Sequence, residues 1–254
     1  MLAKPTISFL NSLQQKKFRN LHQLFVIEGE KIVNELLTFA PHLVANVYAT
    51  NSWIEQNLRL FNAFYNQITA MSDKDLERIS SLHSPNKVLA TAILPPVAAL
   101  PTVAELENGL HLALYNLQDP GNMGTIIRIA DWFGIKHIFC SDDTVDIYNS
   151  KVVQATMGSL FRVNVYYTNL SELIQNYPLN SCASTANGKN MWEFNPQELK
   201  KQGALLVIGN EAAGLPYDLQ KACQQSIAIP KIGGAESLNA AVATGILASF
   251  FNSI

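Results

Sequence analysis

Apolar positions recur along this chain with two periods. Phe9 to Phe18 and Glu30 to Phe39 carry the three- and four-residue spacing of amphipathic helices. LVANVYAT (43–50), QITAMS (67–72) and KVLATAIL (87–94) are short apolar runs that read as strands. Between them, NSWIEQNLRL and SDKDLERISS read as helices, with Asn51 and Ser72 placed to cap them. The pattern predicts a small alternating α/β domain over residues 1–100. LPPVAALPTVAELENG (94–109) then interrupts the periodicity with three prolines, which places a linker at 101–110.

Residues 111–254 repeat the alternation. HLALYNL (111–117) predicts a strand, DPGNMG a turn, and TIIRIADWF a helix stopped by Gly134. Lys136 to Ser141, RVNVYY, NSCASTA, ALLVIGN and SIAIP read as further strands. SKVVQATMGSL, SELIQNY, PYDLQKACQ and SLNAAVATGILASFF read as helices. Apolar strands each followed by a helix predict a parallel sheet covered on both faces. Ligands of such sheets bind at the carboxyl ends of the strands, so the loops after 117, 186, 209 and 230 are the places for chemistry.

Composition narrows the class. A chain of 254 residues that is 48% hydrophobic and 15% charged can bury sizeable cores and is not a disordered tail. Val88 to Ala104 is a long uncharged run, and Pro95, Pro96 and Pro101 exclude a spanning helix there. The first residues are too polar for a secretory signal, so a cytoplasmic protein is expected. Cys140, Cys182 and Cys223 form no CxxC pair, and the five histidines show no HExxH or HxH spacing. Buried thiols and no metal are expected. The net charge of −2 divides unevenly: residues 1–104 hold nine Lys or Arg against seven Asp or Glu, and the rest nine against thirteen. Bulk charge therefore does not advertise a nucleic-acid binder, and any such role must rest on local residues.

Three segments could carry chemistry. The first is Asp119-Pro120-Gly121-Asn122-Met123-Gly124, running into a helix that presents Arg128 off its apolar stripe of Ile126, Ile129, Ala130 and Phe133. A helix start beside a guanidinium suits a phosphate, while the plain alternative is a turn capped by Asn122 with a solvated arginine. The second is Gly209-Asn210-Glu211-Ala212-Ala213-Gly214-Leu215-Pro216, an acidic turn between glycines; by itself it reads as an ordinary strand-to-helix loop. The third is Ile229-Pro230-Lys231-Ile232-Gly233-Gly234-Ala235-Glu236-Ser237-Leu238-Asn239, a glycine loop entering a helix rich in small residues. Ser237 or Asn239 could simply cap that helix, with Leu238, Val242 and Ile246 as core. Neither GxGxxG nor GxxxxGK[ST] occurs.

In this order, DPGNMGTIIR, VIGNEAAGLP and IPKIGGAESLNAAVATGIL resemble the three motifs of the SpoU/TrmH family of the SPOUT superfamily, S-adenosylmethionine-dependent RNA ribose 2′-O-methyltransferases. The resemblance covers about 111–254. SLQQKKFRNLHQLFVIEGEKIVNELL is more loosely similar to the small ribosomal-protein-like α/β substrate-binding domain of such enzymes. The resemblance implies a trefoil-knotted parallel sheet and a homodimer with a site at its interface. It implies a catalytic neighbourhood of Asn122, Arg128, Glu211, Ser237 and Asn239, with Arg128 either the base that takes the hydroxyl proton or a clamp on the phosphate beside the target ribose. It implies a donor site at Thr185, Gly209, Asn210, Gly214, Ile229 and Leu238. Apart from the resemblance, Lys16, Lys17, Arg19 and His22 cluster near the end of the first predicted helix; they read either as a solvated face whose cations suit a helix C-terminus or as a patch that, with Arg128, contacts RNA phosphates, ribosomal RNA being favoured over transfer RNA. Two other readings stand beside it: a catalytically silent RNA-binding or ribosome-assembly protein on the same fold, and an α/β enzyme for another nucleotide such as NAD, against which the missing GxGxxG counts.

Overall fold

A computed structural model describes residues 2–253. Along the chain the helices are α1 (Lys4–Ser12), α2 (Lys16–His22), α3 (Glu30–Phe39), α4 (Asn51–Gln56), α5 (Leu58–Ala63), α6 (Asp73–Ile79), α7 (Val103–Leu106), α8 (Pro120–Trp132), α9 (Ser150–Thr156), α10 (Leu170–Asn176), α11 (Pro196–Lys200), α12 (Tyr217–Ala222) and α13 (Ala240–Phe251). The strands are β1 (Leu24–Glu28), β2 (Val44–Thr50), β3 (Ile68–Met71), β4 (Val88–Ile93), β5 (Leu110–Leu114), β6 (His137–Cys140), β7 (Asn164–Tyr167), β8 (Asn180–Asn190), β9 (Ala204–Ile208) and β10 (Gln225–Ala228). The chain divides into two compact units. One runs up to Pro96 and includes Asp146–Phe161; the other comprises Val97–Val145 and the chain from Arg162 on. Residues 146–161 thus pack with the first unit rather than with the remainder of 111–254.

The first unit is built on a mixed sheet of order β1-β4-β2-β3. β4 pairs antiparallel with β1 and β2, and β2 pairs parallel with β3. The sheet and α3 bury Phe25, Ile27, Val33, Leu36, Val47 and Trp53, and Val153 of α9 joins this core. Ser72 caps α6 in a reciprocal pair with Asp75, as its sequence predicts. At α4 the cap is Thr50 and not Asn51, because Thr50 is the residue with extended backbone before the first turn. β1 has no counterpart in the predicted elements; LFVIE is too short a run to separate by period from the helical segments on either side.

The predicted helix from Phe9 to Phe18 is two helices, broken over 13–15. Lys16 and Lys17 therefore sit at the start of α2, exposed, and not at a helix C-terminus. Arg19 does not join them. It is 3% exposed; its Nη1 donates to the carbonyls of Leu13 and Gln14 at 3.1 and 2.8 Å, and its Nη2 donates to Asp146 Oδ2 at 2.6 Å. The guanidinium closes the bend between α1 and α2 and holds the 146–161 segment in this unit, so it is not a phosphate contact.

The second unit carries six parallel strands in the order β10-β8-β9-β5-β6-β7. β5 and β9 are buried at every position, as strands covered on both faces must be. Cys140 and Cys182 are buried free thiols, and burial pushes the Cys182 thiol up to about 12. Among the described residues, no helix is long and apolar enough to cross a membrane and no group of three or more His, Cys, Asp or Glu could hold a metal ion.

Replacing Arg19 by Ala leaves Asp146 Oδ2 and two carbonyls without their donor. Breaking a buried pair in this way costs about 3 kcal/mol. Lysine, with one point charge in place of the planar fork, restores only part of that. Urea unfolding of the two variants tests this; an Arg19→Ala midpoint equal to wild type would show the pair to be dispensable.

Candidate active site

β8, β9 and β5 are neighbours in the sheet, and the chain leaves all three at their carboxyl ends, which brings the predicted motif loops together. The α8 helix starts earlier than its apolar stripe, at Pro120. Its cap is Asp119, whose Oδ1 accepts from the backbone N of Asn122 at 2.6 Å; an Asp before a Pro at the first helical position is the signal. Asn122 is therefore not a cap, and its side chain is available for tertiary bonds.

Those bonds join all three motifs. Asn122 Nδ2 donates to Glu211 Oε1 at 3.1 Å, and Asn239 Nδ2 donates to Asn122 Oδ1 at 2.8 Å. Glu211 also accepts from the backbone N of Gln118 and Asp119 at 3.4 and 3.3 Å. Asn239 caps α13, its Oδ1 taking the backbone N of Ala241 and Val242 at 2.9 and 3.2 Å. The direction of each amide is forced. A carboxylate at one end accepts only, and the helix N–H groups at the other donate only, so both asparagines must point their donors toward Glu211. Ser237 is exposed in the irregular segment before α13 and makes no hydrogen bond among the described residues.

Arg128 stands apart from this line. The buried face of α8 is Met123, Gly124, Ile126, Ile127 and Ala130; Arg128 is exposed, with no ion pair or hydrogen bond among the described residues. Asp131, one turn on, is already taken: Arg162 Nε donates to both of its carboxylate oxygens at 3.1 and 3.0 Å, and Nη2 donates to Oδ2 at 2.8 Å. Arg128 thus faces solvent with its charge uncompensated by its nearest acid.

Of the residues implied for the donor, Thr185, Gly209, Asn210, Gly214 and Ile229 lie on or just after β8, β9 and β10, which are neighbours in the sheet, while Leu238 lies just before α13. Thr185 is half-buried in the stretch 184–188 of β8, which has no register partner in either neighbour. Gly188 allows the backbone of β10 to pass: a Cβ there would lie 2.8 Å from Ile227 main-chain atoms. Gly209 follows β9 under the acidic turn, where a Cβ would be 2.4 Å from the carbonyl carbon of Gly214. Gly214 has φ +67, the left-handed region that suits glycine. Ile229 is half-buried and Leu238 is 48% exposed. Bare backbone, small side chains, one hydroxyl and two aliphatic surfaces fit a flat nucleoside held by main-chain groups, which is the chemistry S-adenosylmethionine requires. Asn210 serves the turn itself; its Oδ1 accepts from Ala212 N and Ala213 N at 3.0 and 2.9 Å.

α13 packs on α8 with Ala241, Thr244, Leu247, Ala248 and Phe251 buried. Leu238 and Val242 are not core: they are 48% and 51% exposed. Val242 and Ile246 instead line, with Thr125, Ile129 and Gly245, a groove of about 890 Å³ between the two helices, into which Asn122 and Asn239 also open.

Residues 109–249 match the SpoU rRNA Methylase family and residues 4–90 the MRM3-like substrate binding domain. The chain is 30% identical to the 23S rRNA (guanosine(2553)-2′-O)-methyltransferase of Bacillus subtilis, over 92% of this chain and 91% of that one. Among solved structures, an AdoMet-bound rRNA methyltransferase from Sinorhizobium meliloti superposes with a TM-score of 0.84 at 27% identity, over 99% and 95% of the two chains. A TrmH-family protein from Porphyromonas gingivalis gives 0.83 at 32%, over 99% and 98%. The chain belongs to the SpoU rRNA methylase family.

Gly209→Ala tests the packing of the acidic turn. The added methyl has no room against main-chain atoms, so the substitution should cost about 2 kcal/mol, in the range of overpacked sites, and displace the turn. Thermal unfolding with amide spectra of residues 209–215 checks this; an unperturbed turn would contradict the close approach.

Proposed function

We propose that this protein transfers the methyl group of S-adenosylmethionine to a ribose 2′-hydroxyl of structured ribosomal RNA. The observation that carries the reading is the hydrogen-bonded line Glu211–Asn122–Asn239, which ties three motif loops together beside the strand ends suited to the donor. Bound donor supplies an electrophilic methyl on a positively charged sulfur. Thr185, the main chain at Gly209 and Gly214, and the aliphatic surfaces of Ile229 and Leu238 hold it. Asn122, Asn239 and Ser237 orient the ribose so that its hydroxyl lies in line with the methyl–sulfur bond, the positioning on which a displacement of this kind depends. Glu211 keeps the two amides in register.

Arg128 clamps the phosphate beside the target ribose. A guanidinium stays protonated in proteins, so its natural service is to an anion, and the Arg162 pair keeps Asp131 from competing. A protein that had lost catalysis would have no need for this set of oriented groups, which counts against a silent assembly factor.

In this reading the first unit, the chain up to Pro96 with 146–161, recognises RNA, and the second, Val97–Val145 with the chain from Arg162 on, carries out transfer; the expected linker at 101–110 holds α7 and the buried core residue Leu106 and belongs to the second unit. In the first unit Lys16 and Lys17 are exposed on α2, with Lys17 Nζ 4.7 Å from the centre of the Phe18 ring and His22 stacked on that ring at 6.5 Å. These side chains meet phosphate and base. The knotted path and the homodimer of the family belong to the same reading. The exposed aliphatic groove between α8 and α13 is the surface a second copy covers, and the protein works in the cytoplasm on ribosomal RNA.

Purified protein with labelled donor should methylate ribosomal RNA at a ribose. Arg128→Ala should lower the rate by 100-fold or more, in the range of a lost transition-state contact, with donor affinity unchanged. Arg128→Lys should not rescue it, since a point charge does not reproduce the fork. Full activity in the lysine variant would remove the clamp.

Salt dependence tests the first unit. Lys16→Ala with Lys17→Ala should lower the log–log salt slope of RNA binding by up to about 2, roughly one per lost phosphate contact. Arg19→Ala is no part of that test, being buried. A double variant with the wild-type slope would move RNA recognition elsewhere.

A further inference from the structure

We infer that Asn210 is a positioning residue for methyl transfer, acting through Glu211 and not through the donor. The inference rests on the methyl-transfer reading above.

Its groups are committed inside the protein. The side-chain Oδ1 accepts from Ala212 N and Ala213 N at 3.0 and 2.9 Å, and the backbone N and O pair with Gly214 at 3.1 and 2.9 Å. These bonds close the turn on itself, with Glu211 at its near corner. The side-chain Nδ2 makes a different kind of bond. It donates at 2.7 Å to the carbonyl of Asn116, which lies beyond the end of the neighbouring strand β5.

Asn116 is a rigid anchor. Its φ is +49, its backbone N donates to Ser141 Oγ at 2.8 Å, and its Oδ1 accepts from Gln118 Nε2. The Asn210–Asn116 bond therefore locks the acidic turn to the chain that enters α8. What it locks in place needs locking. Glu211 reaches Gln118 N, Asp119 N and Asn122 Nδ2 at 3.4, 3.3 and 3.1 Å, two of the three beyond the usual N–H···O range. A displacement of the turn by a few tenths of an ångström breaks those bonds, frees Asn122 to rotate, and breaks its bond from Asn239. The donor-site glycines would be disturbed less, since the backbone N and O of residue 210 keep their bonds to Gly214 whatever the side chain.

Two variants separate the roles. Asn210→Ala removes every side-chain bond. Asn210→Asp keeps the acceptor for Ala212 and Ala213, so the turn still closes, but turns a carboxylate oxygen toward the Asn116 carbonyl. In a methylation assay with isothermal titration of S-adenosylhomocysteine, both variants should lose at least about tenfold in kcat while donor-product Kd and the KM for RNA stay within about threefold. Amide exchange, which needs no activity, should speed up at Gln118 and Asp119 in both. An aspartate variant at the wild-type rate overturns the proposal, and so does donor-product affinity falling in step with kcat, which would make Asn210 a donor contact. Unchanged exchange at Gln118 and Asp119 overturns it as well. Wild-type protein that transfers no methyl group would instead sink the methyl-transfer reading, leaving exchange to decide the brace.

Discussion

The second unit is organised by how the start of α8 satisfies its backbone. A helix leaves its first N–H groups without intrahelical partners, and at a strand's carboxyl end these groups face the loops of neighbouring strands. Asp119 takes the N–H of Asn122, and Glu211, arriving from β9, takes those of Gln118 and Asp119 just upstream. A carboxylate near a helix N-terminus is also favoured by the helix dipole. Because β5 and β9 run parallel with Leu114 opposite Ile208, the two loops emerge side by side, and Glu211 can reach without distortion. Once it does, Asn122 has one orientation, Asn239 has one orientation, and the entry of α13 is set.

In this arrangement the same bonds serve stability and chemistry. Asn239 is the cap of α13 and the last member of the polar line; Glu211 stabilises the α8 entry and aligns Asn122. Such dual use explains why no side chain in the line is surplus. It also separates the line from Arg128, which touches none of these groups and is exposed on α8. The groove between α8 and α13 follows from how α13 is packed: it buries Leu247 and Phe251 together with its small residues and leaves Val242 and Ile246 along the groove.

The first unit shows how burial sorts charges that sequence alone presents as one cluster. Lys16, Lys17, Arg19 and His22 fall within seven residues. A helical turn carries Arg19 inward, where its planar fork meets three acceptors, while the lysines remain in solvent. Glu28 shows the converse: a carboxylate 5% exposed, tolerated because Ser80 Oγ, Ser81 N and Ser81 Oγ all donate to it.

Much of this was legible in the residues. Period and run length placed the six parallel strands and nearly every helix that covers them, because a doubly covered strand must be apolar throughout. Gly134 ended α8 as expected, with φ +69. The three motifs named Asn122, Glu211 and Asn239, and the structure joins those three. Residue types cannot show which donor meets which acceptor, since that depends on strand order and on loops separated by about ninety residues and more. Hence Asp119 displaced Asn122 as the cap, Leu238 and Val242 left the core, Arg19 left the surface, and residues 146–161 joined the first unit. Local period and residue type set most of the elements, their order and the chemistry available at the strand ends. Which polar groups bond one another and which stay exposed was settled in three dimensions, because a hydrogen bond is a fact about two positions in space.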